Sequence, residues 1–262
     1  MSNWNEIDTY AKRWIEEAGK IIKLSFIQQL KIETKSNAND LVTNMDKDTE
    51  QFFIEKINEH FPDHRILGEE GFGNQIEDTK GVIWIIDPID GTMNFVHQQR
   101  NFAISIGIYE DGVGMVGYIY DVVHNELYHA QKGKGAYMNE EKLPNLPSVE
   151  LNEAVIAFNA LWLTTNKHME PSRLAPLVRD VRATRSYGSA ALEMAYVAAG
   201  RLDAYLTMRL APWDFAAGKI LIEEVGGKVT NLSGEPLAVV EKSSLIVGKA
   251  NLHHEILHNY LS

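Results

Sequence analysis

The run Val82-Ile83-Trp84-Ile85-Ile86 is apolar throughout and rich in β-branched residues. A run this short reads as a strand covered on both faces, so other elements must be layered above and below it. Asp87-Pro88-Ile89-Asp90-Gly91-Thr92 follows directly and sets two carboxylates where the strand ends. A buried carboxylate is costly unless its charge is cancelled. If the chain turns into a helix at this point, Asp87 and Asp90 point at one spot with the Ile89 carbonyl between them. Carboxylates and a carbonyl are the donors that a hard divalent cation takes. The competing reading is a helix N-terminus carrying acids that complement its dipole.

The flanking sequence supplies the layers. Residues 1–30 carry Trp4, Ile7, Ala11, Trp14, Ala18, Ile21 and Ile22 at helical spacing, which predicts one long amphipathic helix. Lys35 to Asp40 reads as a polar loop. Thr43 then caps a second helix, with Asp46 three residues on completing a capping box and Pro62 ending the helix. Ile66-Leu67 predicts a short strand leading into Gly68-Glu69-Glu70, and from the residues alone that acidic pair reads as solvated surface. Segments 103–109, 116–120, 126–130 and 135–138 read as an antiparallel meander, with Asp111-Gly112 as a hairpin turn. Lys132-Gly133-Lys134-Gly135 lacks phosphate-loop spacing and is read as a turn.

Pro144 to Pro147 is a candidate linker, dividing an N-terminal α+β subdomain (1–146) from a C-terminal α/β subdomain (147–262). Beyond it strands and helices alternate: a strand at 154–158, a helix at 171–181, and an alanine-rich helix opened by Gly188-Ser189 and closed by Gly200. A strand at 202–206, a helix at 213–225, a strand at 244–247 and a helix at 253–261 follow. Asp214 and Ser189 each read as a helix cap. At Ser189 the free backbone N–H groups could equally receive an oxyanion. Gly91 and Gly188 leave room for a phosphate to approach the backbone. The fold class is α/β.

Composition narrows the function. The net charge of −11 over 262 residues argues against a general nucleic-acid surface. The absence of cysteine excludes disulfides, thiolate catalysis and cysteine-ligated zinc. No apolar run approaches membrane-spanning length and the N-terminus has no uninterrupted apolar stretch like a signal peptide, and the lack of cysteine fits the expectation of a cytoplasmic protein. His97, His124, His129, His253, His254 and His258 are read as surface or core residues rather than as a paired metal site.

Three segments together carry a resemblance. Leu67-Gly68-Glu69-Glu70, the Asp87–Thr92 hexapeptide and Pro212-Trp213-Asp214-Phe215-Ala216-Ala217-Gly218 resemble, in order and spacing, the signatures of the inositol monophosphatase family of lithium-sensitive, magnesium-dependent phosphatases. The resemblance implies an αβαβα layered sandwich of the inositol-phosphatase and fructose-bisphosphatase type, usually a homodimer, using two to three Mg2+ ions. By position it gives Glu69, Asp87 and the Ile89 carbonyl to one ion, and Asp87, Asp90 and Asp214 to a second. A weaker third ion would be reached through water from Glu69 near the Lys35 loop. Thr92, paired with Asp46, and Glu69 would deprotonate the attacking water. Asp90, Gly91, Thr92, Gly188, Ser189, Ala190 and Asp214 would bind substrate.

The implied reaction is hydrolysis of a small phosphorylated metabolite, inositol monophosphate foremost. Fructose 1,6-bisphosphate, a 3'-nucleotide and the 2'-phosphate of NADP are alternatives within the superfamily, and a metabolite-sensing binding protein is the alternative outside enzymology. The sequence departs from the animal enzymes at one place. Seven residues before Asp214, where they carry a glutamate that contacts inositol hydroxyls, stands Thr207. Arg209 stands where glycine is frequent. These two positions are expected to bear on specificity.

Overall fold

The computed structural model describes residues 3–27, 31–34 and 41–261. The expected Lys35–Asp40 loop, and with it the surroundings of the third ion, lie outside the described residues. The chain opens with α1 (Trp4–Ser25), in which Ile7, Ala11, Trp14, Ile15, Ala18 and Ile22 are buried at three- and four-residue spacing. A small antiparallel pair, β1 (Ile32–Thr34) and β2 (Leu41–Thr43), leads into α2 (Asn44–His60). The capping box expected at Thr43 and Asp46 is present.

Then come β3 (Arg65–Gly68), β4 (Val82–Asp90), α3 (Thr92–Gln98), β5 (Ala103–Glu110), β6 (Val113–Asp121), β7 (Glu126–Gln131), β8 (Gly135–Met138) and β9 (Glu141–Lys142). The seven strands β3 to β9 lie side by side in chain order as one sheet. Only β3–β4 is parallel, and the rest is the expected meander. Asp111 and Gly112 both take positive φ, at 51° and 79°, as a two-residue hairpin turn needs. The glycine-lysine turn binds its own acid: Gly133 and Gly135 each donate an N–H at 2.7 Å to Glu224.

The second sheet takes β10 (Val155–Ala157), β11 (Ala183–Arg185), β12 (Ala204–Leu210), β13 (Lys228–Thr230) and β14 (Ser243–Gly248) in the order β11-β10-β12-β14-β13. Its helices are α4 (Pro171–Asp180), α5 (Ala190–Ala198), α6 (Pro212–Glu224) and α7 (Ala250–Ile256), the last continuing as a π-helical turn over Leu257–Leu261. No helix among the described residues is long and apolar enough to cross a membrane.

Three apolar clusters define the layers. Trp84 and Ile86 of β4 face α1 and α2. Ile83 and Ile85 face the other way, onto α5 and α6, which also pack against Tyr205, Leu245 and Val247 of the second sheet. Ala204, Leu206 and Met208 on the far side of β12 pack against Leu174, Leu177, Leu252 and Ile256 of α4 and α7. The order is therefore αβαβα, as expected. A helix lying between two sheets must be apolar all round, and all nine residues of α5 are buried.

Glycines set how closely α6 approaches the first sheet. A Cβ on Gly107 would stand 2.8 Å from the Ala216 carbonyl carbon, and one on Gly117 2.7 Å from the Ala217 oxygen. Ser105 and Tyr109 hydroxyls donate to the Trp213 and Ala216 carbonyls at 3.2 and 2.8 Å. These contacts bring the start of α6 against the end of β4.

Several boundaries differ from expectation. β4 does not stop before the acids but runs through Asp90, its pairing with β5 shifting between Asp87 and Asp90. β12 starts at Ala204 and reaches Leu210, so Thr207 and Arg209 lie in a strand. β1, β2, β9, β11 and β13 are two or three residues long, too short for a periodic signal.

Candidate active site

Four carboxylates from three elements meet at the end of β4. Asp87 and Asp90 come from β4, Asp214 from the first turn of α6 and Glu69 from the loop after β3. One carboxylate oxygen from each of Asp87, Asp90 and Asp214 lies within 4.8 Å of the others. The Glu69 carboxylate is in hydrogen-bonding range of Asp87.

Burial raises Asp87 well above the usual carboxylate range, and the charges of Glu69, Asp90 and Asp214 raise it further. Asp214 is likewise raised well above its ordinary value by burial and then by Asp90. Asp90 is pushed up to about 6 by burial, against hydrogen bonds from Ser189 and the Ala191 N–H that favour its ionised form. Among the described residues no cationic side chain bonds to any of the three. A convergent set of buried and half-buried carboxylate oxygens fits a divalent cation, and the all-oxygen chemistry fits magnesium.

Around this cluster the backbone is held by the acids themselves. Asp87 Oδ1 accepts the Ile89 N–H at 3.0 Å, which fixes the β4 end. Gly91 takes φ +94°, and a Cβ there would stand 3.1 Å from the Asn101 carbonyl oxygen. The Thr92 hydroxyl lies 3.0 Å from Asp46 Oδ1 and 3.1 Å from the Ile89 carbonyl oxygen. Asp46 is fully buried, and its second oxygen accepts the Thr43 N–H at 2.8 Å as part of the helix cap. Burial is the main cause that raises Asp46. One side chain thus caps α2 and binds Thr92.

The helix starts need two corrections. Asp214 is not the N-cap of α6: Ala211 holds that position, and Asp214, at the third helical residue, reaches back to accept the Ala211 N–H at 2.7 Å. Ser189 does cap α5, but that terminus is not open. Its hydroxyl and the Ala191 N–H, the latter at 2.8 Å, both donate to Asp90 Oδ2. The oxyanion received there is the chain's own Asp90. The histidine reading also changes. His254 and His258, in His254-Glu255-Ile256-Leu257-His258, have the four-residue spacing of a zinc helix, and their rings lie 4.1 Å apart. Among the described residues no further ligand completes a set of three with them.

A cavity of about 220 Å³ adjoins Asp90, lined among others by Asn159, Trp162, Ser189, Glu193, Thr207 and Arg209. Arg209 is exposed, and its positive charge pulls the Asp214 carboxyl downward. Thr207 and Arg209, alternate residues of β12, both reach this space.

Comparison with known proteins identifies the arrangement. The model of the inositol monophosphatase family matches residues 3–262. The chain belongs to the inositol monophosphatase family. It is 62% identical over 261 residues to an inositol-1-monophosphatase of Bacillus subtilis (strain 168), covering 100% of this chain and 98% of that one. Inositol monophosphatase-II from Staphylococcus aureus MSSA476 superposes with a TM-score of 0.90 at 47% identity, over 98% of this chain and 96% of that one. An IMPase/NADP phosphatase complexed with Mg2+ and phosphate gives 0.90 at 31% identity, over 98% and 95%. As a member of the inositol monophosphatase family, the protein is a phosphoric monoester hydrolase.

Sequence reasoning missed three residues that shape this phosphatase site. Glu50, fully buried, accepts the Glu70 and Phe72 N–H groups at 2.7 and 3.0 Å and so holds the loop that carries Glu69. Its signal was present, since it lies four residues after Asp46 on the same face of α2. Asn94 donates to the Tyr187 and Asn101 carbonyls at 2.7 and 2.8 Å, tying α3 to the turn before α5. Glu193 binds that turn from the other side. Nothing local marks Asn94 or Glu193.

Proposed function

We propose that this chain hydrolyses inositol monophosphate to inositol and phosphate with magnesium. The observation that carries the reading is the convergent triad Asp87, Asp90 and Asp214 beside Glu69, with the Thr92–Asp46 pair at the same strand end. Glu69, Asp87 and the Ile89 carbonyl would hold one ion and Asp87, Asp90 and Asp214 a second, with two to three ions in all. Magnesium, when bound, supplies positive charge to the phosphate and lowers the pKa of water.

The remaining work belongs to the side chains. The Thr92 hydroxyl, its proton directed to Asp46, can accept a hydrogen bond from the attacking water and take that water's proton only as it passes its own to Asp46, and Glu69 shares the base role directly. The Gly91 and Thr92 N–H groups orient the phosphate at the start of α3. Asp214, Asp90 and the Gly188-Ser189-Ala190 turn receive the leaving alcohol. A binding-only role gives no account of the Thr92–Asp46 pair.

Arg209 favours a second reading of the substrate range. A guanidinium at the cavity, with threonine rather than a carboxylate at 207, suits substrates bearing a second anionic group, such as fructose 1,6-bisphosphate or NADP. A cytoplasmic homodimer of two subdomains, 1–146 and 147–262, belongs to the same proposal: the division rests on the Pro144–Pro147 linker, the compartment on the absence of cysteine, and the homodimer on the family resemblance. Phosphate release with Mg2+ over a panel of phosphomonoesters tests the function. Inositol 1-phosphate is expected among the substrates of highest kcat/KM, and no release from any monoester overturns the reading.

A further inference from the structure

Glu193 takes no part in the chemistry above, yet it is only 4% exposed, in the helix layer between the two sheets. No basic side chain pairs with it. Its carboxylate instead accepts the Tyr187 N–H at 2.7 Å, with the Gly188 N–H and the Tyr205 hydroxyl of β12 close by. Tyr205 in turn stands beside Thr207, two residues further along the same face of the strand. Thr207, Tyr205 and Glu193 therefore line one cavity together, and Glu193 binds the turn before α5.

That turn is held from its other side too. Asn94 donates to the Tyr187 carbonyl at 2.7 Å, and Gly188 has φ +77° with Asn94 Nδ2 3.1 Å from where a Cβ would sit. The next residue, Ser189, donates its hydroxyl to Asp90. The Tyr187 N–H bonds to Glu193 and the Gly188 N–H and Tyr205 hydroxyl face it, and a carboxylate is the side chain that offers acceptors only. A glutamine would turn an NH2 toward at least one of them.

We propose that Glu193 is a positioning residue for substrate binding, setting the Tyr187-Gly188-Ser189 turn against Asp90 and coupling that turn to Thr207 across the cavity. The proposal rests on the functional reading above, because the turn lines the space assigned to the leaving alcohol. Glu193→Gln keeps the size and removes an acceptor.

The test uses the full chain with saturating Mg2+ and inositol 1-phosphate. Glu193→Gln is expected to raise KM at least tenfold with kcat within threefold of wild type. Hydrogen exchange at Tyr187 and Gly188 should quicken at least tenfold, measured by NMR. A purely structural role would lower the melting temperature and the active fraction while leaving KM unchanged. A KM rise below fivefold, or unchanged exchange at both amides, overturns the proposal. Should Glu193→Gln fail to fold, Tyr205→Phe removes one donor and leaves the acid in place. Its KM should then rise at least threefold, and a smaller rise overturns the proposal. If wild type releases no phosphate from inositol 1-phosphate, the functional reading falls and the exchange comparison alone decides for Glu193.

Discussion

Asp87 stands among Glu69, Asp90 and Asp214, so on the proposed reading its charge would serve a bound cation, and without one it burdens the protein. Asp87→Asn is expected to lower turnover at least a hundredfold, roughly 3 kcal/mol, the scale of one strong electrostatic element. Without metal the amide relieves repulsion among buried acids, so the variant should melt at or above wild type in EDTA. Its melting temperature should rise less on adding Mg2+, and differential scanning calorimetry reads both. At the cavity, Thr207→Glu with Arg209→Gly exchanges a guanidinium for a carboxylate. A charge-assisted contact is worth about 1.5–3 kcal/mol. The ratio of kcat/KM for inositol 1-phosphate over fructose 1,6-bisphosphate should therefore rise about tenfold or more. A change under about threefold, near 0.65 kcal/mol, removes this pair from specificity.

The elements carry these residues to one place through close backbone approaches. Helix α6 can lie on β5 and β6 because Gly107 and Gly117 have no side chains, and Asp214 rides on its first turn. Gly107→Ala forces a methyl to 2.8 Å from the Ala216 backbone, which must move. The expected cost is about 1–3 kcal/mol of stability, typical of overpacking, read by urea denaturation. Because Asp214 shifts with the helix, Mg2+ affinity measured by calorimetry should fall as well. On the other side of the sheet, α2 contributes Asp46 and Glu50 from adjacent turns of one face. The first was legible as half of a capping box. That the same carboxylate also binds Thr92, 46 residues later in the chain, depended on how α2 docks.

For the molecule as a whole, the buried acids make stability depend on pH and metal together. Unfolded aspartates and glutamates titrate near about 4, whereas folded Asp90 is raised to about 6 and Glu193 to about 7, with Asp87 and Asp214 also raised. Between those limits the folded state binds more protons than the unfolded chain, so stability falls as pH rises through the window. The metal-free protein should accordingly melt higher at pH 5.5 than at pH 7.5. Saturating Mg2+ binds the ionised acids and should shrink or reverse that difference. Melting curves at the two pH values, with EDTA and with Mg2+, check the sign.

Local chemistry was enough to find the centre of the site. A fully apolar strand ending in Asp87 and Asp90 is legible because burying such a pair demands a partner, and helix starts announce themselves by caps and prolines. The layered αβαβα order followed from the resemblance carried by three short segments. Tertiary structure alone decided the rest. It lengthened β12 to bring Thr207 and Arg209 to the cavity, and it gave the start of α5 to Asp90. It also buried Glu50 and Glu193, which any reading by residue type leaves on the surface. The physical reason is common to all of these. A carboxylate's role depends on which donors surround it, and here the donors come from elements distant in the chain.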